Sequence, residues 1–502
     1  MKPAPGSEPL PRPGAVRSQI SPALKPGAAG LRGRVVPIDD QDRSPVLVEV
    51  DLTRDADTEQ TRTAFLALYQ QVFPGRPQPV RVAASYLRCL LSPDEIELLL
   101  QRDQGSARPT VFRVWPDYTM DAHIDRSVST IKADAVARCY ASSGLGVVWA
   151  VMDSGIDEHH PHFAGGTLQG QVAELHRDFT ALVPDGPDGA PEQPLTDPGG
   201  HGTHVAGIIA GGLPPDSTPL ITNLKMIGGL PVRKSRELAE GRSLRGIAPL
   251  ARLVSLKVLA RRGDALVTSS SAVIEALYYL REKVNTGGRL LVVHGVNLSL
   301  GCPWDAGEYA CGQSPVCREV NLLAASGVVV VVSAGNGGFG TRVPGEDGSD
   351  TRGVLASITD PGNADGAITV GSTHRDRPHE YGVTYNSSKG PTLDGRLKPD
   401  LLAPGERITS CATGALRGDV TALLPAGADP AAVPVYAEQS GTSMAAPHVS
   451  GAVAAFLSVR PEFIGRPREI KELFCANATS LGRDRYLEGH GLLDLMRVMS
   501  NV

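Results

Sequence analysis

Four side chains that together can carry out acyl transfer occur along this 502-residue chain in the order Asp, His, Asn, Ser. The last of them, Ser443, stands in the segment GTSMAAPH directly ahead of an apolar run, 446–459, that is typical of a helix. At a helix N-terminus, unpaired backbone N–H groups and the helix dipole favour developing negative charge. A serine that attacks a carbonyl needs such groups, because the carbonyl oxygen becomes an oxyanion.

The other three residues each stand at the predicted end of an element. Asp153 closes the apolar run 147–152, and Asn336 follows the five-valine run 328–332. We expect both runs to be buried strands of a parallel sheet, whose carboxyl ends carry the ligand site of open α/β folds. His201 lies between glycines at the start of a small-residue helical pattern. A nucleophile, a base and an orienting acid make up a Ser-His-Asp triad.

The order of these residues excludes two common triad architectures. An α/β-hydrolase runs Ser, Asp, His and the chymotrypsin type runs His, Asp, Ser. A G-x-S-x-G elbow is also missing, because residue 445 is Ala445.

Several neighbouring residues compete for the same roles. Asp157 is a rival for Asp153, and His204 for His201, although helical spacing turns His204 away from the site. We expect His448 to be a structural histidine. His159, His160 and His162 cluster around Pro161, but they lack the i, i+4 spacing of a zinc motif, so a metal site there is disfavoured.

Taken together, the motifs resemble those of the subtilisin-like serine proteases, or subtilases, over residues 130–500. The resemblance implies a three-layer α/β/α domain with a mostly parallel sheet. The matching segments are DSGI (153–156), HGTHVAG (201–207), NLSLG (297–301), AGN (334–336), SKGP with KPDLLAPG (388–391 and 398–405), and GTSMA (441–445).

The resemblance also assigns roles, with Ser443 as nucleophile, His201 as general base and Asp153 as the residue that orients it. Asn336 and the Ser443 N–H would form the oxyanion hole. The implied substrate-binding residues are the edge Ser299, Leu300 and Gly301, and the pocket residues Ala334 and Gly335. No cofactor or catalytic metal is required, and calcium in the acidic loops is optional, since no ligand set can be read.

Two alternatives keep the same fold. One is a non-catalytic pseudoprotease that binds through the groove. The other is an intact protease restrained by a partner or by its own N-terminal region, and specific for one protein.

Charge and composition limit the other functions that the chain could have. The net charge of −5 gives no basic excess for nucleic acid, and no apolar run reaches membrane-spanning length. The first 36 residues lack the apolar core of a signal peptide, so we expect a cytoplasmic start with reduced thiols; a non-standard export route stays open.

Four regions are predicted: a disordered Pro/Gly-rich tail (1–45), an α+β domain (46–117), a linker with the start of the catalytic domain (118–145), and the subtilisin-like catalytic domain (146–502). The α+β domain reads β-α-β-α-β, with a single strand over 80–90 and a capping box at Ser92. It resembles a subtilase inhibitory propeptide, and we expect self-cleavage between Trp115 and Ser127. A permanently fused accessory domain is the alternative.

The chain departs from the family pattern in four segments, which we expect to be insertions at the surface: 180–198, 212–245, 340–353 and 416–433. A further insertion after Gly301 carries Cys302, Cys311 and Cys317, which are interpreted as a disulfide, a redox-sensitive loop or small buried hydrophobes. A zinc site is disfavoured without a C-x-x-C pair. Asp305 and Glu308 in this insertion hint at basic substrates.

Overall fold

The computed structural model describes residues 19–20, 24, 43–51, 58–81, 86–106, 108–116, 127–183, 193–215, 217–227, 230–238, 244–303, 310–341, 351–424 and 433–502. The chain divides into two compact units, Met1–Met120 and Asp121–Val502. Most of the predicted tail, the predicted cleavage segment, and both Asp305 and Glu308 lie outside the described residues.

The N-terminal unit is a four-stranded antiparallel sheet with the strand order β2-β3-β1-β4. Its elements are β1 (Ser44–Val50), α1 (Thr58–Val72), β2 (Val80–Arg81), β3 (Tyr86–Leu91), α2 (Pro93–Gln104) and β4 (Val111–Pro116). The capping box is confirmed, because Ser92 Oγ accepts the Glu95 N–H while the Glu95 carboxylate accepts the Ser92 N–H. The prediction of a single strand over 80–90 is wrong. Two strands pair there, and the residues between them lack the Gly, Pro or Asn that would mark a turn.

The larger unit is built on a seven-stranded sheet in which all six neighbouring pairs are parallel. Its order is β17-β16-β13-β12-β5-β9-β6. The strands of this unit are β5 (Val148–Asp153), β6 (Arg177–Asp178), β7 (Leu220–Ile227), β8 (Leu230–Arg236), β9 (Arg252–Lys257), β10 (Ala260–Arg262), β11 (Ala265–Val267), β12 (Gly295–Leu298), β13 (Val329–Ser333), β14 (Phe339–Thr341), β15 (Thr351–Gly353), β16 (Ala367–His374), β17 (Leu401–Glu406), β18 (Ile408–Cys411) and β19 (Val435–Gln439).

Helices cover both faces of the large sheet. They are α3 (Ser127–Thr130), α4 (Ala133–Tyr140), α5 (His201–Ile209), α6 (Ser270–Tyr278), α7 (Pro315–Ala325), α8 (Pro378–Tyr381), α9 (Gly414–Gly418), α10 (Thr442–Leu457), α11 (Pro467–Ala476), α12 (Arg485–Glu488) and α13 (Leu495–Ser500). No helix within the described ranges is long and apolar enough to cross a membrane.

The central strand β5 shows how the three layers arise. Every residue of β5 is buried, and successive side chains point to opposite faces of the sheet. Trp149 and Val151 pack with the core formed by α5 and α10, whereas Val148, Ala150 and Met152 pack with the core formed by α6 and α7. The predicted α/β/α architecture is therefore confirmed.

The stretch 212–245, expected to be a surface loop, contains real secondary structure. Strands β7 and β8 form an antiparallel hairpin, and β7 also pairs with β19 in a second sheet of order β18-β19-β7-β8. Leu220, Ile221 and Thr222 of β7 are buried. The charged run on β8 led to the loop prediction, while the Gly228-Gly229 pair between two β-prone runs was a hairpin signal that it overlooked.

The other predicted surface insertions also hold ordered parts. Strands β14 and β15 pair at the two ends of 340–353. Leu416 and Val420 are buried in a small apolar cluster, and Asp197 is only 4% exposed. The surface prediction is therefore wrong at Leu416, Val420 and Asp197.

Candidate active site

The proposed nucleophile lies at the start of the long buried helix α10. Ser443 is the second residue of the helix, so its N–H has no intrahelical carbonyl to bond. Its Oγ donates to the Ser299 carbonyl oxygen at 3.2 Å, and Ser299 Oγ donates back to the Ser443 carbonyl oxygen at 2.8 Å. This reciprocal pair ties the helix start to the chain that leaves β12.

A buried network supports that pair from below. Asn297 Nδ2 donates to Ser299 Oγ at 2.9 Å, and Asn297 Oδ1 accepts from Ser450 Oγ at 2.9 Å. Both Asn297 and Ser450 are fully buried. Such a connected polar network in a low-dielectric interior fixes the position of each member, here the first turn of α10.

The predicted acid and the predicted base are hydrogen-bonded to each other. Asp153, at the carboxyl end of β5, is completely buried, and its Oδ1 accepts from His201 Nδ1 at 2.8 Å and from the Ser154 N–H at 2.8 Å. With Nδ1 acting as a donor, the neutral imidazole leaves Nε2 free as an acceptor. Burial opposes the charged imidazolium, but the Asp153 charge and hydrogen bond, together with the Asp197 charge, raise the pKa of His201 above its ordinary value.

A second carboxylate, which the sequence analysis missed, anchors the start of the helix that carries His201. Asp197 Oδ1 accepts from Ser154 Oγ and the Gly200 N–H, and its Oδ2 accepts from the N–H and Oγ of Thr203, each at 2.8 Å. These donors sit just after Asp153 and in the first turn of α5. Asp197 therefore joins the end of β5 to the helix that begins with His201.

Two glycines flanking His201 are required by close approach. Gly200 adopts a left-handed φ of +84°, and a Cβ there would lie 2.4 Å from the Thr413 carbonyl oxygen. A Cβ on Gly202 would lie 2.2 Å from the Gly155 carbonyl oxygen. The glycines in the histidine motif thus let α5 approach the end of β5 closely enough for His201 to reach Asp153.

The amide of Asn336 is oriented by the residue that precedes the nucleophile. Asn336 Oδ1 accepts the Thr442 N–H at 3.0 Å and Thr442 Oγ at 3.1 Å. Because a backbone N–H can only donate, it must face the amide oxygen, which leaves the Asn336 NH₂ group available as a donor. The predicted oxyanion donor is thereby held ready.

An open cavity of about 960 Å³ brings these groups together. His201, Asn336, Ser443 and Met444 line it along with the hairpin β7–β8 and the end of β19. Strands β5, β12 and β13 are neighbours in the parallel sheet, so their carboxyl ends present Asp153, Ser299 and Asn336 at one edge. The arrangement places an imidazole, a hydroxyl and a preset amide donor on one water-accessible wall.

The sequence profile of the subtilase family (peptidase S8) matches residues 144–492 of the chain. The chain belongs to the subtilase family. It is 30% identical to an intracellular serine protease of Paenibacillus polymyxa over 379 residues, which cover 75% of this chain and 86% of that protein. Serine protease AprX of Bacillus subtilis is 28% identical over 377 residues, covering 74% and 70% respectively. Subtilisin E of Bacillus subtilis is 28% identical over 371 residues, covering 73% and 69%.

This membership confirms the predicted class. The subtilase is a serine-type endopeptidase, and its substrates are proteins or peptides. The relatives are serine proteases, which disfavours the non-catalytic alternative.

The rival histidines of the subtilase are engaged in structural hydrogen bonds. His204 Nε2 contacts the carbonyl oxygens of Ile408 and Ala437, and His448 contacts the Met444 carbonyl and Ser127 Oγ. Burial lowers the pKa of His204 to about 3 and that of His448 to about 4. Both are therefore neutral structural groups.

The histidines around Pro161 are likewise held by the protein itself. His160 Nε2 contacts the Val435 carbonyl, and His162 contacts Tyr436 Oη and the Ala210 carbonyl. Within the described ranges, no group of three or more His, Cys, Asp or Glu side chains could hold a metal ion. The carbonyl oxygens of Gln193 and Thr196 accept hydrogen bonds from the Lys257 ammonium, so a cation of the protein itself binds this pair of oxygens.

The predicted substrate-binding residues differ in exposure. Gly301 is exposed, while Leu300 and Gly335 are half-buried. Ala334 is fully buried, and its N–H and carbonyl bond the Val370 carbonyl and the Thr359 N–H. Gly335 has a φ of +101°, and a Cβ there would lie 2.6 Å from Thr359 Oγ1, so this turn requires glycine.

The cysteines are free thiols. Cys311 and Cys317 are buried, as the interpretation of small hydrophobes expects, whereas Cys302 is exposed. Burial raises the pKa of Cys317 to about 12, so its thiol stays protonated and unreactive.

Asp157, the rival of Asp153, is bonded away from the imidazole. Its carboxylate accepts from Thr413 Oγ and from the His159 N–H. Its own N–H donates to Thr203 Oγ at 3.0 Å. Asp157 thus braces the loop after β5, and it makes no hydrogen bond to His201.

Proposed function

We propose that Asp153, His201 and Ser443 are the catalytic triad of this endopeptidase, with Asn336 and the Ser443 N–H as its oxyanion hole. The contact that carries the proposal is the hydrogen bond from His201 Nδ1 to Asp153 Oδ1 at 2.8 Å, and His201 lines the same cavity as Ser443. It fixes the tautomer in which Nε2 can accept a proton.

The reaction follows from these groups. Ser443 Oγ leaves its contact with the Ser299 carbonyl, passes its proton to His201 Nε2 and bonds to the scissile carbonyl carbon. The carbonyl oxygen takes the electron pair and is stabilised by the Asn336 amide and the Ser443 N–H. His201 then gives the proton to the leaving amine, the C–N bond breaks, and water hydrolyses the acyl-enzyme by the same steps.

The acyl half of the substrate is proposed to lie along Ser299, Leu300 and Gly301. An extended peptide would add there as a strand, and its side chain before the scissile bond would lie near Ala334 and Gly335. This chemistry uses only groups of the chain; calcium is proposed only as an optional structural ion.

Ser443→Ala tests the triad. We expect hydrolysis of a peptide substrate to fall by roughly a million-fold, the size known for loss of the serine in subtilisins. Ser500→Ala, on the exposed end of α13, is the control and should retain full activity. Full activity in Ser443→Ala would overturn the proposal.

The N-terminal unit is proposed to be an inhibitory propeptide. Its β-α-β-β-α-β order is that of a ferredoxin-like domain. Wild type should lose an N-terminal fragment ending between Trp115 and Ser127 while Ser443→Ala stays intact, as followed by intact mass against time. If neither protein shortens, the accessory-domain alternative stands.

A second experiment tests the restrained-protease alternative. Hydrolysis of a separate protein substrate is measured before and after residues 46–117 are removed.

A further inference from the structure

A wall of cations borders the nucleophile on one side. Lys225 and Arg233 from the hairpin β7–β8 and Arg407 from the β17–β18 turn line the same cavity as His201 and Ser443. We call these three residues the basic wall.

The basic wall lies on the leaving-group side of the scissile bond. None of the residues proposed to hold the acyl half, from Ser299 to Gly301 and at 334–335, is among the described residues that line this cavity. His201, which protonates the leaving amine, does line it. The chain segment that follows the scissile bond would therefore enter this cavity.

The carboxylate beside the basic wall cannot neutralise it. Among the described residues that line the cavity, Glu438 is the acidic one, and its side chain is only 2% exposed. Its oxygens already accept from Arg375, from Arg407 Nε at 3.3 Å and from the Leu224 N–H at 3.0 Å. Glu438 carries one negative charge, which Arg375 and Arg407 share, so the three cations that line the cavity face a single carboxylate and leave an excess of positive charge there.

The other two cations of the basic wall form no ion pair with Glu438. Arg233 Nη1 donates to the Glu438 carbonyl oxygen at 3.2 Å, and its carboxylate neighbour Asp419 is 3.8 Å away and largely exposed. Lys225 is exposed and forms no ion pair with any residue that the structure describes. Its ammonium is the cation most available to a ligand.

The basic wall is rigidly connected to the nucleophile. Strand β7 pairs in parallel with β19 through Leu220↔Val435 and Ile221↔Tyr436, and β19 runs directly into the turn before Ser443. The buried start of β7 therefore fixes where the backbone of the hairpin stands relative to the reacting atoms. Cations carried on an anchored backbone lose less freedom when they bind an anion.

Building on the proposed triad, we propose that the basic wall binds a carboxylate in the leaving half of the substrate. The carboxylate comes either from an Asp or Glu side chain within the three residues after the scissile bond or from a free C-terminus close behind it. Substrates that carry such a group are then cleaved preferentially.

The test uses peptides with one acyl half and either Ala, Glu or Lys at the first, second or third position after the scissile bond. Each peptide is made with a free C-terminus and as a C-terminal amide. The full-length protein is used, with active sites titrated by a serine-directed reagent, and kcat/KM is measured in low and high salt.

We expect Glu to exceed Ala by about fivefold at one or more positions, the size of a partly exposed charge interaction, and Lys to fall below Ala. The ratio should shrink in high salt because exposed charges are screened. If the preference follows the free C-terminus instead of Glu, the terminal carboxylate is the ligand; either source supports the basic wall.

Lys225→Glu should reverse the Glu-over-Lys preference. Lys234→Glu makes the same charge change on the next exposed lysine of the hairpin, which does not line the cavity, and should keep the wild-type preference. Equal kcat/KM for Glu, Ala and Lys at all three positions and for both termini would overturn the proposal, as would equal shifts in the two variants. The triad is tested separately, by comparing hydrolysis of the peptide with Ala at all three positions by wild type and by Ser443→Ala. The two proposals can therefore fail independently.

Discussion

Asn336 Oδ1 accepts the backbone N–H of Thr442 at 3.0 Å, so the residue just before the proposed nucleophile decides which end of the amide faces the cavity. An oxyanion hole needs donors that are already oriented before charge develops, because reorganisation during the reaction is costly. The Thr442–Asn336 contact provides that orientation.

Asn336→Ala should therefore lower kcat by about 10²- to 10³-fold with little change in KM, the size found for oxyanion donors in subtilisins. Thr442→Ala keeps the backbone donor and should lose much less. Steady-state kinetics on one peptide substrate compares the two variants. A rise in KM at constant kcat in Asn336→Ala would assign the amide to ground-state binding instead.

The pH dependence of hydrolysis should report His201. The imidazole must be neutral to accept the Ser443 proton, so kcat/KM falls as pH drops through its pKa. Asp153 and Asp197 raise that pKa, which places the acid limb above 6.5, the ordinary histidine value. In Asp153→Asn the acid limb should move to lower pH, and kcat should drop by about 10⁴-fold because the favoured tautomer is lost. An unshifted acid limb in Asp153→Asn would contradict this assignment.

Asp197 should act as a positioning residue for the base. Its two oxygens accept four hydrogen bonds, whereas asparagine offers one oxygen and would turn its NH₂ group toward two donors. Asp197→Asn should lower kcat, shift the acid limb of kcat/KM to lower pH, and destabilise the fold by about 1–3 kcal/mol. A purely structural role would lower stability but leave the acid limb of the remaining activity in place.

Acid should destabilise the catalytic unit through its buried histidines. Burial is the main cause that lowers the pKa of His160 and His448 to about 4, and of His162 and His204 to about 3. Unfolded histidines take up protons near pH 6.5 while these folded ones do not, so stability is present above that pH and is lost as pH falls toward 4. Each contributes up to about 1.4 kcal/mol per pH unit in that window.

Urea unfolding of Ser443→Ala, which avoids self-digestion, measures this slope between pH 7 and 5. In the Ser443→Ala background, His159→Gln changes a side chain that is 84% exposed, and it should leave the pH dependence of the free energy of unfolding unchanged. Adding His448→Gln should reduce it. A free energy of unfolding that stays constant across this range would show that the buried histidines do not control acid stability.

Sequence could single out the residues of the proposed triad and Asn336 because each stands at the end of a strongly patterned element. The apolar runs before Asp153 and Asn336 became β5 and β13, and adjacent parallel strands must present their ends together. The helix start at Ser443 followed from the apolar run behind it.

What sequence missed depends on tertiary contacts. Asp197 stands in a Pro- and Gly-rich stretch whose composition is typical of an exposed loop. Its four hydrogen bonds join residues of α5 to the end of β5, so they depend on the packing of these two elements and leave no sequence pattern. The hairpin β7–β8 was hidden by a charged run, because β8 is the edge of its sheet and its outward side chains need no apolar pattern.

The most direct test of the central claim is to label the active protein with a serine-directed phosphonofluoridate and map the adduct by mass spectrometry. The triad proposal predicts one adduct per molecule, on Ser443, that forms in step with loss of hydrolysis and is absent from His201→Ala. An adduct on another serine that abolishes activity, or full hydrolysis after complete labelling of Ser443, would contradict it.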